Sequence, residues 1–180
     1  MIKAFTVGKD IFSSQGHVLI IAEIGTGHNG SLQKAKELIA AAKESGADAV
    51  KFQIVYADEI LHPDTGFVNL PTGRIPLYER FRELECSIDF YGELAQYTHK
   101  LGMLFSASAF GLRSADELRQ LNPAFIKIAS PELNHFPLLE RVASFGLPVI
   151  LSTGVSRLGD IERAISCLES NGLSADMRAL

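Results

Sequence analysis

With 180 residues, 47% of them hydrophobic and 21% charged, the chain has the size and make-up of one soluble domain. A formal net charge of −4 without a basic run argues against a nucleic-acid partner. No apolar stretch approaches the ~18 residues of a membrane span, and the N-terminus lacks a signal-peptide core, so a cytoplasmic protein with no membrane partner is expected. The two cysteines, Cys86 and Cys167, are far apart and read as reduced thiols.

The first residues predict a short hairpin: Ala4–Val7, a turn at Gly8-Lys9-Asp10, then Ile11-Phe12. A repeating unit follows. "VLIIAEIG" (Val18–Gly25) is a continuous apolar strand. "SLQKAKELIAAAKESGA" is a helix with Leu32, Ala35, Ile39 and Ala42 on one stripe and Gly46 as its stop. "DAVKFQIV" is the second strand, and Tyr56–Pro76 is a variable stretch rich in Gly, Pro and Asp. "DFYGELAQYTHKLG" gives a helix and "MLFSASAF" the third strand. In "SADELRQL", Ser114 and Glu117 have capping-box spacing, a helix-start signal. "FIKIAS" is strand four, "FPLLERVASFG" a helix ending at Gly146, "PVILSTG" strand five and "LGDIERAISCLESNG" the last helix. The closing "LSADMRAL" does not begin a convincing sixth strand.

Five apolar strands alternating with five helices predict a parallel α/β sheet. A complete doubly wound sheet of flavodoxin type is one solution. The other is the first five βα units of a (β/α)8 TIM barrel, preceded by the hairpin. Length favours the first, because barrels typically need ~250 residues. The side-chain pattern favours the second. Alternate strand residues share a face. One face carries Ile20, Ala22, Ile24, Val50, Phe52, Ile54, Ile126 and Ile128; the other carries Glu23, Lys51, Gln53, Ser106, Ser108, Lys127 and Ser152. Under a helix those lysines would be stranded in an apolar layer, at a cost of several kcal/mol. Inside a barrel they point toward its wet, ligand-binding mouth.

Two lysines with serines, a glutamine and a glutamate suit a small, multiply charged anion. A glutamate there can move a proton or stabilise a positive centre. Pairing of each lysine with a nearby acid is the competing structural reading. Glu132 and Asn134 lie in the loop after strand four, where Asn134 is also placed to cap the next helix. His28 is a site candidate in the loop after strand one, although a helix-entry turn explains Asn29-Gly30 equally well. No histidine pair has metal-ligand spacing. There is no dinucleotide fingerprint, P-loop or nucleophile elbow.

"IIAEIGTGHNGSLQKAKELIAAAKESGADAVKFQ", "KIASPELNHFPLLERVASFG" and "PVILSTG" strongly resemble the sialic acid synthase family, the phosphoenolpyruvate-dependent N-acetylneuraminate synthases and relatives making legionaminic or pseudaminic acid. The resemblance covers nearly the whole chain and is weakest across Tyr56–Asp89. It implies a (β/α)8 barrel followed by an antifreeze-like domain, a domain-swapped homodimer, and a divalent metal, Mn or Mg. The implied reaction joins phosphoenolpyruvate to an open-chain N-acetyl amino sugar such as N-acetylmannosamine. By the same resemblance Lys51, Gln53, Ser108, Lys127, Ser130 and Ser152 bind phosphoenolpyruvate, and Glu23 and Glu132 are the catalytic carboxylates.

Gly27 stands where the family loop usually has asparagine, "SASAF" replaces an "STPF"-like segment, and Pro131 is unusual in its loop. The family's metal-binding histidines come after strand five and have no counterpart here, so no metal ligand is expected within this chain. The expectation is therefore an N-terminal part of a synthase, without its last barrel units and antifreeze-like domain. Its edge strands would then be exposed, and the chain would associate or be marginally stable. Another phosphoenolpyruvate-dependent sugar-condensing synthase and a non-catalytic anion-binding α/β module are the alternative readings.

Overall fold

The structure, a computed structural model, describes residues 4–13, 15–71 and 73–180. The hairpin forms where expected: β1 (Ala4–Val7) pairs antiparallel with β2 (Asp10–Ser13), and Gly8 supplies the positive φ that the turn requires. The main sheet contains β3 (Ile21–Gly25), β4 (Ala49–Gln53), β7 (Leu104–Ala109), β8 (Phe125–Ile128), β9 (Val149–Leu151) and β10 (Arg178–Ala179). All are parallel, and each pairs with the next in chain order.

That order separates the two architectures. A doubly wound sheet reverses its strand order and carries helices on both faces. Here there is no reversal. The helices α1 (Leu32–Glu44), α4 (Ile88–Lys100), α5 (Leu112–Gln120), α6 (Phe136–Ala143) and α7 (Leu158–Ser170) contribute buried side chains to one large core, with Val50, Phe52, Phe105, Ile126, Ile128, Val149 and Leu151. The arrangement is a singly wound wall. Fully burying each of the larger side chains contributes roughly 1.5–3 kcal/mol.

The other face has its own, smaller core. Ala49 and Phe125 are buried there with Val7 and Phe12 of the hairpin; Phe5, Ile21, Leu104 and Ile150 pack against them. These strand residues occupy the first inward position of β3, β4, β7, β8 and β9. The hairpin is thus a floor beneath the N-terminal ends of the strands. His17 ties its exit to the wall through Asp48 Oδ1 at 2.7 Å, while Asp48 Oδ2 accepts from the Ile20 amide at 2.7 Å.

Helix α1 starts as expected: Ser31 Oγ accepts from the Lys34 amide, and Ala35, Ile39 and Ala42 are buried. Four expectations differ. A sixth strand does begin, with Arg178 and Ala179 in register with Val149 and Ile150. The variable stretch is structured: α2 (Ala57–Ile60), a β5–β6 hairpin (Phe67–Leu70 with Gly73–Pro76) and α3 (Leu77–Arg82). Ser114 is not the N-cap, because α5 starts earlier, at Leu112; it is the third helical residue, and its hydroxyl reaches back to accept from the Phe110 and Gly111 amides. Asn134 does not cap α6 either, since His135 is the capping position and makes no side-chain cap bond.

Candidate functional site

The inward face changes character one pleat above the floor. Glu23, Lys51, Ser106, Lys127 and Ser152 follow Ile21, Ala49, Leu104, Phe125 and Ile150 at two-residue spacing, with Gln53 and Ser108 one step higher. Register places Glu23 opposite Lys51, Gln53 opposite Ser108, and Ser108 opposite Lys127.

The side chains meet. Lys51 Nζ is ion-paired with Glu23 Oε2, and Gln53 Nε2 donates to Glu23 Oε1 at 3.2 Å. Lys51 Nζ also reaches Ser108 Oγ at 3.5 Å. Lys127 Nζ donates to Ser152 Oγ at 2.6 Å and to the Ile128 carbonyl. Lys51 is mostly covered, whereas the Glu23 side chain is 46% exposed. The buried base of Lys51 therefore presents its charge to an open rim.

Burial, then the neighbouring Lys51 ammonium, depress the Lys127 pKa to about 8. Lys127 has no carboxylate in salt-bridge range among the described residues, so its positive charge is only partly compensated. Glu132 lies in the 3-10 turn Ser130–Asn134 after β8. Burial raises its pKa although Lys127 opposes the rise, and Oε2 is buried without a hydrogen-bond partner among the described residues. Burial thus shifts this carboxyl toward its neutral form. Ser130 Oγ accepts from the Gly154 amide at 2.9 Å, joining the loops after β8 and β9.

The structure thus brings Glu23, Lys51, Gln53 and Ser108 into one contact network and pairs Lys127 with Ser152. Ser130 and Glu132 occupy the adjoining loop. Two other sequence candidates are used differently. Ser106 is fully buried and donates to the Phe125 carbonyl at 2.7 Å. His28 lies in the helix-side core, its ring near Phe52, Phe90 and Tyr91 at 4.8–6.3 Å between centroids. Its Nδ1 accepts from the Gly30 amide, and burial lowers its pKa. Asn29 and Gly30 both have positive φ, so the helix-entry turn is the reading that holds for that loop.

Gly25 is a site residue that the sequence reading passed over. The β3–β4 register shifts between Glu23 and Gly25, a bulge that re-aims the strand end. Gly25 has φ of 56°, and a Cβ there would meet Glu23 Oε1 at 3.1 Å and Gln53 Nε2 at 3.3 Å. Glycine is therefore what lets the Glu23–Gln53 bond form. The signal was the glycine ending an apolar strand two residues after a glutamate.

Among the described residues no three His, Cys, Asp or Glu side chains converge to hold a metal ion. The donor set is cationic and hydroxylic. It fits an anion and does not fit a divalent cation, apart from the two carboxylates.

The model of the NeuB family matches residues 38–177. An N,N'-diacetyllegionaminic acid synthase of Legionella pneumophila is 40% identical over 154 residues, covering 83% of this chain and 43% of that protein. Spore coat polysaccharide biosynthesis protein SpsE of Bacillus subtilis is 36% identical over 168 residues, covering 93% of this chain and 44% of its own length. In fold, the chain is similar to the crystal structure of an N-acetylneuraminic acid synthetase from Leptospira borgpetersenii in complex with citrate: TM-score 0.81, 29% identity, 95% of this chain and 56% of that one. The chain spans less than half the length of these two curated relatives.

Proposed function

The chain belongs to the NeuB family, and from that membership we propose that it forms the phosphoenolpyruvate-binding wall of a sialic acid synthase-type condensing enzyme. The observation that carries the reading is the pair of inward lysines, Lys51 and Lys127, on β4 and β8 with β7 between them, each in reach of a serine hydroxyl. Phosphoenolpyruvate carries two anionic groups on a short frame. Two cations on neighbouring strands suit one group each, and Ser108, Ser130 and Ser152 supply directional donors.

The acceptor would be an N-acetyl amino sugar such as N-acetylmannosamine, in its open-chain form. The methylene carbon of phosphoenolpyruvate forms the new bond to the aldehyde carbon, whose oxygen takes a proton. Water adds to the oxocarbenium carbon left behind, and the tetrahedral intermediate expels phosphate. Lys51 and Lys127 hold and neutralise the anion through these steps. Glu23, released from Lys51 as the anion arrives, faces the open rim and handles a proton at the acceptor; Glu132, biased toward its neutral form, is the second acid. The Mn or Mg ion expected from the resemblance has no ligand cluster among the described residues, so anion binding, orientation and proton handling are what this chain's side chains contribute.

The same reading includes a closed (β/α)8 barrel and a homodimer for the longer enzyme. It accounts for the apolar groove outside β3, where Ile20, Ala22 and Ile24 face Leu38 and Ala41 of α1 and Ile20 is 51% exposed. Two tests apply. Calorimetric titration of this chain with phosphoenolpyruvate should show binding that Lys51→Ala and Lys127→Ala each abolish or greatly weaken; unchanged affinity in both would sink the site. Phosphate release from phosphoenolpyruvate with N-acetylmannosamine and Mn²⁺, on this chain and on a version extended by further βα units, tests the reaction.

A further inference from the structure

We propose that Tyr91, a fully buried residue of α4 on the helix side of the wall, is a positioning residue for the mouth. This rests on the anion-site reading above. The Tyr91 hydroxyl donates to the Gln53 carbonyl at 2.7 Å. It therefore grips the chain at the last residue of β4. The ring has no room to relax: its side chain is 0% exposed, with Phe90 and His28 against it at 5.4 and 6.3 Å between centroids.

From that anchor a continuous set of contacts crosses the sheet. Gln53 donates to Glu23 Oε1, Glu23 holds Lys51, and Lys51 reaches Ser108. Gln53 is the last residue of its strand, so its side-chain direction depends on what fixes its backbone. The neighbouring ladder fixes one side: the Ile54 amide donates to the Ser108 carbonyl at 3.1 Å. Tyr91 fixes the other side, from outside the barrel wall. Burial raises its phenol pKa, so it stays a neutral donor throughout the working pH range.

A merely structural tyrosine would stabilise α4 without affecting the mouth. Thr98→Val is the matched control, because Thr98 is also fully buried on α4 and its hydroxyl bonds only within the helix, to Leu94 at 2.8 Å. Tyr91→Phe keeps the ring and removes the hydroxyl. Both variants should lose a few degrees of Tm. Only Tyr91→Phe should shift the Gln53 side-chain amide resonances in ¹⁵N–¹H spectra and weaken phosphoenolpyruvate binding, by about fivefold for one lost hydrogen bond.

Unmoved Gln53 resonances in Tyr91→Phe, or equal loss of affinity in both variants, would overturn the assignment. If the unmutated chain binds no phosphoenolpyruvate, the functional reading fails. The Gln53 resonances then still decide for or against the positioning role.

Discussion

The two ends of the inward face are built from the same strands with opposite chemistry. At the hairpin end Ile21, Ala49, Leu104, Phe125 and Ile150 form a dry floor with Val7 and Phe12. One pleat higher the same strands present Glu23, Lys51, Ser106, Lys127 and Ser152. Alternation alone sets which residues face inward; the change along the strand puts apolar packing at one end and charged and hydroxyl groups at the other, where a barrel wall would carry its ligand chemistry. The lower layer makes the upper one affordable, because a lysine needs a rigid, buried stem below an ammonium that can meet a ligand.

Substitutions at the two ends should therefore separate folding from binding. Phe125→Ala, at the floor, should cost about 3–5 kcal/mol in chemical denaturation. Loss of anion affinity without loss of stability there would break the comparison. Lys127→Ala, at the mouth, should do the reverse. Phosphoenolpyruvate affinity should fall by roughly thirtyfold or more, as for loss of a charge-assisted bond, with Tm unchanged or raised. Gly25→Ala tests the join between backbone and site. The positive φ and the Glu23–Gln53 contact should together cost about 1–2 kcal/mol of stability, and anion affinity should weaken in parallel.

Acidity sharpens the same contrast. The folded Lys127 pKa, about 8, lies below the ordinary 10.5. Between these values the unfolded chain binds more protons, so this group makes stability rise as pH increases from about 8 to 10.5. Binding of an anion needs the protonated form, so affinity should fall about tenfold from pH 7 to pH 9. Stability and affinity should thus slope in opposite directions above pH 8, measured by denaturation and titration in matched buffers. Parallel slopes would show that Lys127 does not face the ligand. The smallest effect is expected at His17→Ala. An exposed pair with Asp48 contributes less than ~1 kcal/mol, and anion affinity should not change.

Much of the wall was legible because buried parallel strands are short, apolar and bounded by glycine or turn residues, as in "DAVKFQIV" and "FIKIAS". Lys51 and Lys127 were legible because a charge inside such a run needs a reason. The rest depended on partners distant in sequence. Arg178 and Ala179 carry no apolar run; only pairing with β9 makes them a strand. The β5–β6 hairpin lies between Gly66 and Pro76, where glycine and proline obscure a period-of-two pattern. Ser114 had the right spacing for a cap but sits inside α5, whose start is held by Glu59, which accepts from the Arg113 and Ser114 amides. No local signal marks an acid 54 or 55 residues away. His28, a loop residue, looked like a site candidate because the aromatic cage that buries it comes from β4 and α4.

The chain-order pairing of the strands has a consequence for biosynthesis. Each strand of the wall finds its partner in the one made just before it, so the sheet can be extended while the polypeptide leaves the ribosome, N-terminal units first. The floor cannot follow that schedule. Phe12 shares its core with Phe125, synthesised more than a hundred positions later. Until then the hairpin carries its apolar side without a full set of neighbours, and a two-stranded hairpin is marginal alone. The nascent chain should thus expose its first-made element longest, which makes residues 4–13 the segment where a chaperone or a protease would find it.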